Sequence, residues 1–595
     1  MPGLFGIWRR DPVKDPEEIS RILSGQAASM CRHSEYLINS RVLDHRCGVG
    51  RVHLGILDQE EQPVLSSDGR YALCLDGEFY DRDALSRQFL GQEKWSHSDA
   101  SLALALYQQA GWSWLREVNG QFALALYDRQ TQRLYLVTDR FGLRPIYYYE
   151  DGRGVLFGAE VKAIISDTAV PRKIDPLAVQ EFFTFGYLLE NRTWIQGVRL
   201  LPSASITTID SSGTKVNKYW SWDEIQPLPD SLTLDEAAEE LGRLWIQAVR
   251  RRVDEKRIGL TLSGGLDSRA VLAAIPEDYH PLHVVTFGIP GCDDHRFAAQ
   301  AAAVKGAIHH FVPISESEWL APRLDAVWWT DGHLNLMHMH GIEAAEKCRG
   351  FFDIGLNGML GDGTIGGTHL FSLDEAHAYV HQCIIPASRA LGMEIEEASR
   401  RYLSLILRLG NAHALYCEQR NRRFVMNGLL IYRSFLEARM PFTDVPLQTF
   451  IYSVPLRFRT NYLLYKAWVI RYYPQFFERI PWQKTGLPIS AGKLRHQLHH
   501  FIRRVESKVR HGVAKIGIYF PDRHNYVDYN LWTRVEPART FICKTLLNKD
   551  ALWQEFLPKD KCWRLVQDHL EGKRLDAEGV LLLLTFEIYL QRLNS

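Results

Sequence analysis

Residues Ser263-Gly264-Gly265-Leu266-Asp267-Ser268 combine two glycines, two hydroxyls and one carboxylate between an apolar run, Ile258–Leu262, and a helix-forming segment, Arg269–Ile275. Glycines at that place let the backbone approach a ligand closely with its amide N–H groups turned inward, and a helix N-terminus adds partial positive charge. Ser263 and Ser268 can donate hydroxyl hydrogen bonds. Asp267 would repel a bare phosphate, so it makes chemical sense there as a ligand for Mg²⁺. The Gly-Lys-Ser/Thr of a Walker loop is absent. A second glycine-rich stretch, Asn357–Gly367, holds Asp362. His333, His338 and His340 crowd one short segment, but their spacing does not share one helix face and no Cys or carboxylate completes a metal set, so they read as core or site-lining residues.

The elements around these residues divide the chain. The first 210 residues or so read as β-rich: Asp76-Gly77 is predicted as a tight turn between Tyr71–Leu75 and Glu78–Tyr80. Phe122–Tyr127 and Arg133–Thr138 are predicted as strands around a polar turn, and Ser101–Ala110 as a helix. Residues 213–232, rich in Pro and Ser near their end, read as a linker between a domain at 1–212 and one at 233–595. In the second domain a helix (Leu234–Val253), the strand Ile258–Leu262, the glycine loop, a helix and the strand Leu282–Phe287 follow one another, the order of a parallel α/β sheet; the remainder reads as mostly helical. Lys493–Gly512 reads as a basic amphipathic helix, with Leu494, Leu498, Phe501, Ile502, Val505 and Val509 as its apolar stripe and solvent as its expected neighbour.

Ser263–Ser268 resembles the pyrophosphate loop of ATP pyrophosphatases, and the resemblance becomes specific to the asparagine synthetase family further along. Gly288-Ile289-Pro290-Gly291, Asp294 and His309-His310 are similar to the matching stretch of that family. Asn357–Gly367 resembles its S-G-E-G-A-D-E-L-F-G-G, Glu437-Ala438-Arg439-Met440-Pro441-Phe442-Thr443-Asp444 its E-V-R-x-P-F-L-D, and Lys484-Thr485-Gly486 its K-x-G. The likeness extends to the glutaminase domain: Met1-Pro2-Gly3-Leu4-Phe5-Gly6 resembles M-C-G-I-F-G, and Asp76-Gly77-Glu78-Phe79-Tyr80 resembles N-G-E-I-Y. The implied fold is α/β with two domains, an N-terminal-nucleophile (Ntn) type glutaminase-like β-sandwich with flanking helices followed by an ATP-pyrophosphatase parallel sheet with a helical extension. The implied cofactors are ATP and Mg²⁺. Ser263, Gly264, Gly265, Asp267, Ser268, Phe287 and Gly358 are expected at the nucleotide, Asp267 and Asp362 at the metal, and Lys484 at the reacting carbonyl as the catalytic cation.

Against that pattern, three positions depart in ways that bear on chemistry. Glutamine hydrolysis by such domains needs a thiolate at position 2, and here Pro2 has no side-chain nucleophile. The oxyanion-hole asparagine is Asp76, an acceptor where a donor is needed, and the glutamine-binding arginine is His53. Neither Cys31 nor Cys47 can supply the terminal-amine geometry. Upstream of Lys484, the family's Lys and Arg stand as Asn461 and Tyr465, and Met359 occupies a place where asparagine synthetases carry Glu. The resemblance therefore implies a ligase that activates a carboxylate as an acyl-adenylate, without its own glutaminase. β-Lactam synthetases and lasso-peptide cyclases, which use an amine within the substrate, are the nearer analogy; an asparagine synthetase fed by free ammonia is the alternative. A catalytically dead binding protein would have lost its metal ligands, and a tRNA-modifying ATP pyrophosphatase would carry catalytic cysteines or a basic RNA module.

Composition is consistent with this. The 595 residues carry 70 basic and 70 acidic side chains, so no global field draws the chain to nucleic acid or an acidic membrane, and neither is expected as a partner. Nine scattered cysteines without a CxxC pair suit reduced thiols, and no secretory signal or membrane-length apolar run is evident, so a cytoplasmic protein is expected. The expected substrate is a small-molecule or peptide carboxylate. A peptide-binding partner protein and a homodimer are left open.

Overall fold

A computed structural model describes residues 2–514 and 522–595; Met1, the start of the first resembling motif, lies outside them. The N-terminal strands are, in chain order, β1 (Gly3–Arg9), β2 (Leu37–Val42), β3 (Cys47–His53), β4 (Val64–Leu65), β5 (Tyr71–Phe79), β6 (Gly120–Asp128), β7 (Arg133–Thr138), β8 (Tyr147–Asp151), β9 (Gly154–Gly158), β10 (Arg199–Leu200), β11 (Ser205–Asp210) and β12 (Gly213–Lys218). They form two six-stranded antiparallel sheets, ordered β10-β8-β9-β1-β3-β2 and β12-β11-β7-β6-β5-β4. Leu4, Trp8, Val49, Cys74, Ala125 and Leu136 pack between them as a dry layer, and helices Glu17–Met30 and Asp99–Ala110 cover the outer faces. Burial on both faces explains why residues 122–127 of β6 read as an unbroken apolar run rather than an alternating one.

Two local expectations need correction. Asp76-Gly77 is not a hairpin turn: β5 runs through it, with Asp76 opposite Ala123 and Gly77 opposite Phe122 on β6. Glycine is required there for a different reason. Its φ is 124°, and a Cβ would come 2.0 Å from the Gln121 carbonyl oxygen of the neighbouring strand. Residues 213–232, expected as a linker, begin with β12, which pairs along its length with β11, and Trp220 and Trp222 are buried. The predicted strands at 122–127 and 133–138 and the helix at 101–110 fall within β6, β7 and Asp99–Ala110.

The second half is built on five parallel strands: β13 (Ile258–Thr261), β14 (His283–Gly288), β15 (Ile308–Pro313), β16 (Ile354–Leu356) and β17 (Glu437–Arg439). Their order is β15-β14-β13-β16-β17. The chain winds outward from β13 through β14 to β15, then returns to the other side of β13. The winding direction therefore changes between β13 and β16, and in open parallel sheets ligands bind at the carboxyl ends of the strands at such a switch point. The loops leaving those two strands are Ser263–Ser268 and Asn357–Asp362. The helix Leu234–Arg250, opened by a Thr233/Glu236 capping box, backs the sheet with Trp245 fully buried. Helices fill the remainder, as expected, ending in the apolar Ala577–Asn594. Among the described residues no helix is long and apolar enough to cross a membrane.

The helix Lys493–Ala514 forms as its periodicity predicts. Its apolar stripe faces outward, with Leu494, Phe501 and Val509 each more than half exposed, while Arg503 turns inward, donating to the Gln483 carbonyl at 2.8 Å and pairing with Asp293 at 2.6 Å.

Candidate functional site

The Ser263–Ser268 loop is shaped by side chains that accept from the N–H groups of Ser263, Gly264 and Gly265. The helix Leu266–Ala274 starts at Gly265 without a side-chain cap, so its first N–H groups remain available to an anion. Asp294 accepts from Gly264 N–H at 2.8 Å, and the Ser263 and Ser268 hydroxyls lie 3.0 Å apart, which together fix the curve of the loop. A Cβ on Gly264 would meet Gln483 at 3.0 Å, and one on Gly358 would meet the Ser268 nitrogen at 2.6 Å. Gly358 thus serves by letting the second loop lie directly on the first.

That contact brings the two aspartates together. The Asp362 backbone N–H donates to Asp267 Oδ2 at 2.9 Å, and the Tyr465 hydroxyl donates to Asp267 Oδ1 at 2.8 Å. Thr368 and Tyr462 hydroxyls both donate to Asp362 Oδ1. Burial, reinforced by the charge of Asp362, raises the Asp267 carboxyl to about 7. Two facing carboxylates with only neutral hydroxyls and one lysine nearby are a poor ion-pair site but fit a hard divalent cation, which takes one or two protein carboxylates and completes its shell with phosphate oxygens and water. Asp267 and Asp362 would hold Mg²⁺, which would neutralise triphosphate charge there.

Lys484 reaches this pair from a third segment. Its Nζ lies 3.3 Å from the Tyr462 hydroxyl and within 5.5 Å of the Tyr462 and Trp482 ring centres. The side chain is exposed, facing a cavity of about 530 Å³ that Arg503, Arg504, Lys508, Arg510 and Arg523 also line. An electropositive space beside a phosphate loop suits a polyanion. Phe287 sits at the carboxyl end of β14, half-buried, with its ring 6.3 Å from His340 and 6.1 Å from Tyr526. The loop residues, both aspartates and Lys484 are therefore gathered at one end of the sheet, with Phe287 on the next strand.

Two positioning residues, Arg269 and Tyr462, carried no signal in the sequence, and Tyr465 stood out there only as the residue at the family's arginine position. Arg269, buried directly after the loop, donates to the carbonyls of Gly264, Ile480 and Pro481 and so ties the phosphate loop to the segment carrying Lys484. Tyr462 and Tyr465, one helical turn apart, each hold one aspartate; the spacing was visible, but tyrosines in a helical run ordinarily signal core.

The N-terminal positions tell the opposite story. Pro2 is buried. His53 is buried with neither ring nitrogen hydrogen-bonded, and burial together with Arg51 lowers it to about 4, so it is neutral. Asp76 is bound by Arg144 at 3.3 Å and by Arg433 of the second domain at 3.0 Å. Burial raises both the Cys31 and Cys47 thiols, so neither is a ready thiolate. Gln121 and Asn119 point across the domain boundary, to the Ala438 carbonyl and the Asp444 carboxylate, each at 2.8 Å.

Comparison with known proteins accords with this division. The sequence pattern of the glutamine amidotransferase domain matches residues 1–220, and that of asparagine synthase matches residues 240–434. An asparagine synthetase (glutamine-hydrolysing) of Bacillus subtilis is 27% identical over 317 residues, 50% of this chain and 42% of that protein. A putative asparagine synthetase of Methanocaldococcus jannaschii is 26% identical over 399 residues, 62% of this chain and 76% of that protein. The amidase chyE of Penicillium rubens is 28% identical over 340 residues, 50% of this chain and 48% of that protein. The chain thus spans less than half the length of two of these three relatives. With both domain patterns in order, and with an Ntn-type amidotransferase fold joined to a parallel-sheet synthase fold, the chain belongs to the asparagine synthetase family.

Proposed function

We propose that the protein is an ATP-dependent amide ligase that activates a carboxylate as an acyl-adenylate, releases pyrophosphate, and joins the acyl group to an amine that this chain does not itself release from glutamine. The observation that carries the reading is the fate of Asp76. Where glutamine hydrolysis needs a hydrogen-bond donor, this carboxylate is locked to Arg144 and Arg433, while His53 is neutral and Pro2 has no nucleophile. The phosphate end, by contrast, keeps its open helix N-terminus, aspartate pair and lysine. The Ser263–Ser268 backbone orients the phosphates, Asp267 and Asp362 hold the metal, and Lys484 meets negative charge as it develops on the carbonyl oxygen during amine attack.

An amine already within the substrate, as in β-lactam synthetases and lasso-peptide cyclases, is the first reading; Met359, half-buried against the core in place of an acidic residue, favours it because it can neither take a proton nor form a strong hydrogen bond. Asparagine formation from free ammonia is the second, favoured by the names of the relatives. The deciding experiment incubates the protein with Mg²⁺-ATP and a panel of carboxylates, with and without ammonia, and follows AMP, pyrophosphate and product mass. AMP and pyrophosphate are expected, with no steady glutamate release from glutamine. ADP and phosphate, or glutaminase turnover above a heat-killed control, would overturn the reading.

A further inference from the structure

One helix turns its apolar side to water. Among the described residues fifteen large apolar side chains are exposed, and six of them lie on the single helix Lys493–Ala514: Leu494, Leu498, Phe501, Ile502, Val505 and Val509. Leu494 is 84% exposed and Phe501 64%. At 3.6 residues per turn these six fill an unbroken arc of roughly 100° along the helix. The opposite arc holds the helix to the protein. Arg503 donates to the Gln483 carbonyl and pairs with Asp293, and Arg510 pairs with Asp522. His499 and Arg503 lie so near Gly486 that a Cβ there would come within 2.7 Å of both. The stripe therefore points away from the body and stands as a ridge. A contiguous apolar surface of this kind is unfavourable in water and marks a place that another surface covers.

The charges beside the stripe select that surface. The helix carries six Lys and Arg and a single acid, Glu506, which faces His524 at 3.1 Å. With Arg503 and Arg510 turned inward, Arg504 and Lys508 flank one margin of the stripe and Arg495 the other. All three are exposed, and none has a carboxylate partner among the described residues. A second copy of this chain is a poor cover, because two stripes laid together would bring these cations against their counterparts with Glu506 the one acid to meet them. An anionic bilayer is a good one. Its headgroups are mobile and need no fixed register with cations spaced unevenly along two margins. Its acyl boundary accepts a ridge about 5–10 Å deep, and a helix of 22 residues, about 33 Å long, can lie in that plane. The zero net charge of the whole chain removes only a long-range pull; the field of a membrane surface falls off within a Debye length, so the local cations decide.

We propose that Lys493–Ala514 is an interfacial helix that seats the protein on an anionic lipid surface, with its apolar stripe at the acyl boundary and Arg495, Arg504 and Lys508 at the headgroups. The test is co-sedimentation of the full chain with vesicles of phosphatidylcholine alone and of phosphatidylcholine mixed with phosphatidylglycerol, at low and high NaCl. Binding to the mixed vesicles is expected to be at least about tenfold tighter than to the neutral ones, and to weaken with salt. Leu498→Gln combined with Phe501→Gln should abolish it at an unchanged melting temperature, since both side chains already face water. Leu498→Met combined with Phe501→Leu, which keeps the stripe apolar, should retain it. Arg504 and Lys508 are left untouched because they also line the cavity beside Lys484. Absence of vesicle binding, equal binding to neutral and anionic vesicles, or binding that survives Leu498→Gln with Phe501→Gln overturns the proposal. Sedimentation velocity on the same proteins reads the other occupant: a parent dimer that those two substitutions split, without vesicle binding, would overturn it too and give the stripe to a second copy.

Discussion

Two carboxylate-rich regions of this molecule are built from the same residue types and solve opposite problems. At the domain interface, Asp76 is met by Arg144 and Arg433, Glu437 by Arg144 at 2.8 Å, Glu78 by Arg439 at 2.6 Å, and Asp444 by Arg251 at 3.0 Å and Arg252 at 2.9 Å. Each acid has a guanidinium in hydrogen-bonding contact, and all four acids are buried. At the phosphate end, Asp267 and Asp362 face each other with hydroxyl donors, and a single lysine stands 3.3 Å from one of those hydroxyls. Matched charge braces a boundary; unmatched charge is useful only if a cation comes to complete it. In the motif Glu437–Asp444 each charged member makes a hydrogen bond across the domain boundary, Glu437 to Arg144, Arg439 to Glu78 and Asp444 to Asn119, and Arg439 and Asp444 make others within the second domain.

The sharpest way to break the comparison is to remove one acid from each side. Asp362→Ala should lower Mg²⁺-dependent pyrophosphate release by at least about a thousandfold, since a cation held as proposed would lose one of two protein carboxylates, with little loss of stability; the readout is a coupled pyrophosphate assay beside thermal melting. At the interface, Arg144→Met removes the guanidinium 2.8 Å from Glu437 and one of the two that meet Asp76, leaving Arg433 as their remaining partner, and should cost about 3 kcal/mol of stability, read as a lower urea midpoint, while pyrophosphate release per folded molecule persists. A stable Arg144→Met protein would mean the brace contributes nothing.

Lys484→Met keeps length and apolar packing and deletes the charge. In the role proposed above the lysine gains interaction only as the oxyanion forms, so turnover should fall by about two to three orders of magnitude while ATP affinity, measured by calorimetry, changes far less. Equal losses in both would place Lys484 on the triphosphate instead.

Much of this architecture was legible beforehand, for identifiable reasons. The phosphate loop announces itself because glycines, hydroxyls and a carboxylate are adjacent in the chain and sit between a strand and a helix, so local spacing carries the signal. Asp362 required a second motif in register, yet it too lies in a contiguous glycine-rich run. What stayed hidden depends on contacts across long sequence separations. Nothing in the sequence around Asp76-Gly77 says that β6 will arrive from 45 or so residues later and hold it in mid-strand. Arg269 and Tyr465 look like core residues until the segments they touch, Ile480–Pro481 and Asp267, are folded onto them.

The smallest effect tests the charge imbalance itself. Burial and the facing Asp362 raise Asp267 to about 7, far above the ordinary carboxylate value. In the unfolded chain the group titrates near 4. A carboxyl raised on folding supports the folded state fully below pH about 4, and that support is lost as pH rises through about 7. Above pH 7 the metal-free protein therefore carries an ionised, unmatched Asp267 at a cost. Asp267→Asn removes the charge, and its carbonyl oxygen can still accept the Asp362 N–H while the amide donates to the Tyr465 hydroxyl. The metal-free Asn variant should thus be more stable than the parent at pH 8, by roughly 1–3 kcal/mol, and about equal to it at pH 4.5, where the parent is protonated. Mg²⁺ should stabilise the parent at pH 8 and have little effect on the variant, because the cation replaces the proton that burial would otherwise favour. The measurement is thermal unfolding at both pH values with EDTA and with 10 mM Mg²⁺, about the concentration needed to populate a weak two-carboxylate site. A variant less stable than the parent at pH 8 without metal would show that Asp267 is held by its hydrogen bonds as a settled structural group, and the distinction between the two carboxylate regions would fail at its central residue.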